Sequence, residues 1–243
     1  MQTKTQNPRA AAPVAAKVIE SPQSATTGDT IEIDYAPKKM TPRETMIVTL
    51  KLAPGSAVSE QELANYLGIG RTPIREALQR LARERLVSIL PRRGIIVSEI
   101  NVGSQLRLLE VRRELERLVA RSAARRATDE ERVQFRELAA QFVKSAKVND
   151  DVTFMRTDRD FNVLCSSAAH NEFAAGAMSL VHSLSRRFWY IHYKQAADMP
   201  LTAKLHADIA RAIADADEER AARATEKLLD VIEKFTRATV SPA

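Results

Sequence analysis

Arg71, Arg75 and Gln79 recur every four residues, the interval that gathers side chains on one face of a helix. Arginine and glutamine are the side chains that reach guanine edges and phosphate oxygens. Further on, Pro91-Arg92-Arg93-Gly94 sets two more guanidinium groups in a tight turn. Between Arg71 and Arg93 the chain holds seven arginines against two glutamates, nearly the whole net charge of +6. The chemistry these residues suit is the recognition of duplex DNA, read at base edges and held at phosphates. A second constellation lies far along the chain. Asp158 and Asn162, four apart, project a carboxylate and an amide from one helical face, and His182, His192 and Tyr193 fall on a neighbouring predicted helix. That set could hydrogen-bond a small organic molecule directly.

The elements that must position the arginines are legible around them. Ser59 stands three residues before Glu62, the spacing of a capping box, and Leu63, Ala64 and Leu67 form the apolar stripe of a short helix that Gly68 ends. After Gly70, Thr72-Pro73 places a proline in the first turn of a second helix, whose buried side is Ile74, Ala77, Leu78 and Leu81. Leu86–Leu90 and Ile95–Val97 are two β-rich runs joined by the basic turn, so a hairpin carries cations at its tip. Helix, turn, helix and charged hairpin together read as a winged helix-turn-helix.

This stretch resembles the DNA-binding domain of GntR-type bacterial transcription regulators. It keeps Glu62-Leu63-Ala64, Arg71-Thr72-Pro73-Ile74-Arg75-Glu76-Ala77-Leu78, Leu81, and Gly94 with Val97. It departs from the family pattern in two places: Gly70 stands where Ser is usual, and Arg85 where Gly is usual. The resemblance implies that Arg71 and Arg75 touch base edges or adjacent phosphates, Thr72 the DNA backbone, and Gly94 the minor groove through its main chain. Gln61, on the preceding helix, aligns with a position that is either a DNA contact or solvent-exposed, and Arg92 and Arg93 stand with Gly94 at the wing tip, beside the arginines of the second helix.

After Ile100 the strand signals stop and Leu, Ala, Arg and Glu repeat at helical spacing. Helices are predicted near 102–125, 129–147, 151–168, 171–196, 200–215 and 218–239. Six helices in this order resemble the FCD effector domain that accompanies GntR-type readers. Such domains commonly hold a divalent metal through D-x-x-F-H and two later histidines. Here the first motif reads Asp158-Arg159-Asp160-Phe161-Asn162, so an amide replaces an imidazole. The later motif leaves His206 as the candidate imidazole, and the last histidine falls at Leu228. The resemblance therefore implies at most an incomplete zinc or nickel site built on Asp158 and His206, completed by water and the effector. The competing reading has Asp158, Asn162 and His206 bind an organic effector directly. Arg112 matches an arginine-bearing motif of the first helix and either grips a carboxylate or pairs with a neighbouring glutamate. The aromatic run Phe188-Trp189-Tyr190 is core or pocket lining rather than a stacking platform.

The expected fold is mainly α: a disordered extension over 1–39, rich in Ala, Pro, Thr and Ser, a winged helix-turn-helix over 40–100, and an all-α six-helix bundle over 101–243. Within the extension, the alternating Ile31–Tyr35 piece either stays disordered or adds a strand, and a helix is predicted from Thr41 to Leu52. The single Cys165 excludes an intrachain disulfide and suits a reduced cytoplasmic setting. No apolar run is long enough to span a membrane, and no leader pattern opens the chain. Phosphate-binding glycine loops, nucleophile elbows and paired-cysteine motifs are absent, with seven glycines in all. The expected function is a ligand-responsive regulator, a homodimeric repressor reading a short inverted repeat and retuned by a small carboxylate effector. Two readings compete with it: a helical metal-dependent hydrolase using Asp158 and His206, and a helical scaffold with neither activity.

Overall fold

In a computed structural model of the protein, the described residues are 52–90, 94–148, 150–196 and 198–239. The predicted extension, the Ile31–Tyr35 piece, the helix from Thr41 and the pair Arg92-Arg93 lie outside them.

The N-terminal unit runs β1 (Ala57–Val58), α1 (Glu60–Leu67), α2 (Arg71–Arg83), β2 (Val87–Leu90), β3 (Gly94–Val97). The Ser59 hydroxyl accepts from the Glu62 amide at 3.1 Å while the Glu62 carboxylate accepts from the Ser59 amide at 3.0 Å. Two amides that have no intrahelical acceptor are thereby satisfied, and α1 starts where the capping box predicts. Gly68, at φ 64°, ends it in the left-handed region that lacks a Cβ penalty only for glycine. Gly70 begins α2 with no side-chain cap, the structural consequence of losing the usual serine.

At the far end of α2, Arg85 occupies φ 58°, and the Leu86 amide donates back to the Leu81 carbonyl at 2.9 Å. Arg85 thus stands in a left-handed conformation that glycine adopts freely, at a strain of about 1 kcal/mol. Central β3 pairs antiparallel with β1 and β2, in the registers Ala57↔Ile96 and Val87↔Val97. Its inward residues join Ile74, Leu78, Leu81 and Leu86 in one small core. Because Ile74, Leu78 and Leu81 point inward, Arg71, Arg75 and Gln79 face out.

Six helices follow: α3 (Val102–Arg126), α4 (Asp129–Val148), α5 (Asp151–Ala168), α6 (Glu172–Ala196), α7 (Met199–Ala214) and α8 (Glu218–Ala238). Side-chain caps sit at the predicted breaks. Asn101, Asp150, Asp198 and Asp217 each accept from an amide of the following first turn, and Thr128 and Glu131 cap reciprocally. Alanines 203, 207, 210, 214, 221 and 224 are buried between α7 and its neighbours, which lets backbones approach closely. Exposed ion pairs such as Arg117–Glu226 at 3.0 Å and Arg121–Glu219 at 2.9 Å join α3 to α8. Such pairs set register more than stability. Among the described residues, no helix is long and apolar enough to cross a membrane.

Candidate nucleic-acid interface and ligand cleft

On the N-terminal unit, the first turn of α2 presents Arg71, Thr72 and Arg75 to solvent, and Gln79 continues the same exposed face. Two of these are held by α1. Arg71 donates to the Gln61 side-chain oxygen. Arg75 clasps Glu60 with two hydrogen bonds, Nε to Oε1 at 3.0 Å and Nη2 to Oε2 at 2.8 Å. The hydrogen bond from Arg75, aided by the charges of Arg75 and Arg71, keeps the Glu60 carboxyl below the ordinary carboxylate value. The Arg75 side chain remains 62% exposed, so the clasp orients the guanidinium without hiding it, and such a solvent-screened pair is weak. Gln61 is exposed and is spent holding Arg71 and Asn65. Gly94 closes the wing opposite Leu90 at φ 86°, exposed, with its main chain open to a partner.

In the helical unit, α3, α5, α6 and α7 surround a cleft. Arg112, Asp158, Asn162 and His206 all line it. Asp158 and His206 meet directly, with His206 Nε2 at 3.0 Å from Asp158 Oδ1. On the other side of the ring, Nδ1 lies 2.8 Å from the Thr202 carbonyl oxygen, a group that can only accept. Both ring nitrogens thus lie within hydrogen-bond distance of an oxygen, which holds the ring from both sides. The imidazole also stacks on Phe142 at 5.0 Å, and Phe154 and Phe161 cross it nearly at right angles. Burial works to raise the Asp158 carboxyl, but the His206 hydrogen bond and the charges of His206, Arg186 and Arg112 overcome it and hold the carboxyl low. Arg112 pairs with Glu116 one turn along α3.

His182 also lines the cleft, and burial pushes it down to about 4, so it is neutral at pH 7. His192 does not line it: its ring lies 4.6 Å from that of Phe188. The side chain of Tyr193 falls outside the described residues. The cleft-lining residues that sequence reading passed over are Ser185 and Arg186, and Trp189 is lining as that reading allowed. The signal for them was available: His182, Ser185, Arg186 and Trp189 follow the i, i+3, i+4, i+7 rhythm of one helix face.

The residue set does not fit the metal that the FCD resemblance implies. The four family positions hold a carboxylate, an amide, an imidazole and a leucine. Leu228, 2% exposed, lines a second pocket that also includes Asn162 and His206. The one good imidazole is already bonded through both nitrogens. Among the described residues no three His, Cys, Asp or Glu converge to hold an ion.

The opposite face of α6 meets the DNA-binding unit. Leu184 packs against that unit's core, and Arg187, 1% exposed, donates from Nη2 to the Ser98 carbonyl at 2.7 Å. Burial lowers the Arg187 guanidinium to about 10 while the Glu99 charge works the other way, so it stays charged at pH 7.

A winged reading head joined to a helical unit with its own cleft defines a DNA-binding transcription regulator. Residues 44–97 match the bacterial regulatory proteins of the gntR family, and residues 107–231 match the FCD domain. The chain belongs to the GntR family, in the group that carries an FCD domain. It is 28% identical to the Nta operon transcriptional regulator of Aminobacter aminovorans over 73% of this chain and 82% of that protein. It is equally 28% identical to the HTH-type transcriptional repressor RspR of Escherichia coli, over 79% and 84% respectively. The solved structure of McbR/YncC from E. coli superposes with a TM-score of 0.70 at 18% identity, covering 82% of this chain and 94% of that one, and so shares the fold. These relatives are regulators rather than enzymes, which overturns the hydrolase reading. Asp158 and His206 serve one another instead of poising a water.

Proposed function

We propose that the protein is a cytoplasmic, homodimeric repressor that reads a short inverted repeat and is released from it by a small carboxylate. The observation that carries this reading is the double duty of α6. One face offers Ser185, Arg186 and Trp189 to the cleft, and the other seats Leu184 and Arg187 on the reading head. A ligand drawn to Arg186 pulls on the residue next to the one that holds Ser98. Arg71, Thr72 and Arg75 meet the major groove, with Gln61 and Glu60 orienting the two guanidinium groups, and Gly94 contributes from the wing. A two-fold pair of such heads matches the symmetry of an inverted repeat. A relative named as a repressor supports the sign of the regulation. Effector and operator binding are then reciprocal: whatever weakens DNA binding must itself bind more weakly to the DNA-bound dimer.

The experiment is selection of bound sequences from random duplexes, followed by fluorescence anisotropy of the selected site with and without carboxylates. The expected outcome is one dimer per inverted repeat and weaker binding when a carboxylate is added. Indifference to DNA sequence, or a carboxylate that binds yet leaves DNA affinity unchanged, refutes the reading.

A further inference from the structure

A groove of about 480 Å³ opens where the reading head meets the helical unit, on the side of α6 that turns away from the cleft. The head contributes Arg85 and Glu99 to its walls, and the helical unit contributes Arg107 and Arg187. Three guanidinium groups thus stand around one carboxylate. Among the described residues, their side-chain hydrogen bonds go to uncharged oxygens: Arg107 Nη2 donates to the Ser104 hydroxyl at 3.1 Å, and Arg187 Nη2 to the Ser98 carbonyl at 2.7 Å. The Glu99 carboxylate is directed at Gly55, where it fills the space that a Cβ would need. Arg187 is 1% exposed and its Nε finds no acceptor, so the buried end of the groove holds a charge with an unspent donor. Native structures rarely leave such a donor without a reason.

Two further features favour an anion. The first turn of α3, through Asn101 and Ser104, lines the same groove, and the N-terminus of a 25-residue helix carries positive potential. Arg85 holds φ 58°, so a long cation occupies a backbone position that glycine takes without strain. Along one side the lining is apolar, with Leu108, Val111 and Leu184, of which Val111 is 54% exposed. The volume falls within the roughly 300–1,000 Å³ of small-molecule sites.

From this arrangement we infer that the groove is a second ligand site, separate from the cleft, and that it takes a phosphate monoester with an apolar body. Three guanidinium groups less one carboxylate leave a surplus of two positive charges. A phosphate monoester brings about −1.5 to −2 at neutral pH, whereas a monocarboxylate brings half of that. Its three oxygens accept from the forked donors of Arg85 and Arg107, with Arg187 as the fixed charge behind them. The apolar body lies on Leu108, Val111 and Leu184. Bound there, the ligand ties Arg85 of the head to Arg107 of the helical unit, across the boundary that the bond from Arg187 to Ser98 already spans. Backbone phosphates of DNA offer the same oxygens, and the experiment separates the two sources.

The test is calorimetry on the full-length protein in phosphate-free buffer, with phenyl phosphate, inorganic phosphate and phenol as probes. Phenyl phosphate should bind once per chain and at least tenfold more tightly than either of the other two, because only it engages both the cations and the apolar side. Arg85→Gln and Arg107→Gln, both at exposed positions, should each weaken it about tenfold or more. In parallel, anisotropy of a duplex at several salt concentrations reads the slope of log affinity against log salt for the same variants. Phenyl phosphate that binds wild type and both variants alike sits elsewhere on the basic surface, which overturns the site. No binding to wild type overturns it too, and a salt slope reduced by about one in each variant would then assign Arg85 and Arg107 to the DNA backbone. Equal affinity for phenyl phosphate and inorganic phosphate removes the apolar body from the inference and so overturns the ligand class. The regulator reading stands under each of these outcomes.

Discussion

The Arg187 guanidinium and the Ser98 carbonyl, 89 residues apart, share a 2.7 Å hydrogen bond across the boundary between the helical unit and the reading head. Arg187 is the neighbour of Arg186 on α6, so the residue that faces the ligand cleft and the residue that grips the head are one step apart on a rigid element. A helix that rotates or slides under a ligand moves both. Replacing Arg187 by Met keeps the aliphatic stem and removes the donor. Arg187→Met should leave carboxylate binding intact and reduce its effect on DNA affinity at least threefold, as read by anisotropy with and without butyrate. Full coupling in the variant would show that the bond is not part of the link.

The recognition face is testable separately. Arg71→Ala and Arg75→Ala should each weaken binding to the selected site on the order of ten- to hundred-fold and relax base preference. Arg92→Ala should instead weaken all duplexes similarly and reduce the slope of log affinity against log salt by about one. Competition binding at several salt concentrations separates the two behaviours.

Arg85 offers a substitution with opposite effects on folding and binding. Its φ of 58° strains any residue but glycine. Arg85→Gly should raise the stability of the reading head by about 1 kcal/mol. The same change removes one positive charge from the reading head and should lower affinity for all DNA slightly. Denaturant unfolding and salt-dependent anisotropy on one sample check both.

Ile74, fully buried in the core of the reading head, anchors α2. Ile74→Ala should destabilise the head by about 2–5 kcal/mol, through lost burial and the cavity left behind. Specific DNA binding should fall with the folded fraction rather than through any lost contact. Circular dichroism melts run alongside binding curves distinguish the two.

His182 sets a pH dependence. Burial depresses its value from 6.5 to about 4, so the folded protein resists a proton that the unfolded chain accepts. Unfolding takes up that proton between pH 6.5 and about 4, and stability therefore falls as pH falls through this window. One proton corresponds to a tenfold change in the unfolding constant per pH unit at most. His182→Gln should flatten that part of the curve in urea titrations between pH 4 and 7. An unchanged slope would mean that the imidazole is charged in the folded state.

What the sequence determined by itself is what local interactions dictate. The capping box at Ser59 and Glu62, the caps at the helix breaks and the apolar stripe of Ile74, Leu78 and Leu81 each involve residues three or four apart, so each pattern can act in only one way. For the same reason the exposed face of Arg71, Arg75 and Gln79 was legible, because fixing the buried side of a helix fixes the other. Tertiary structure decided what joins distant segments. Asp158 and His206 read as two ligands of a shared ion, yet they meet directly, since packing α5 against α7 brings them to 3.0 Å. His192, one turn beyond Phe188 on α6, faces that ring rather than the cleft. Ser185 and Arg186 carry no motif along the chain and become a cleft-facing turn only when α3, α5 and α7 close around them. Whether a polar residue is spent internally or left for a ligand depends on which helix covers it, and that is settled by the packing of residues tens of positions away.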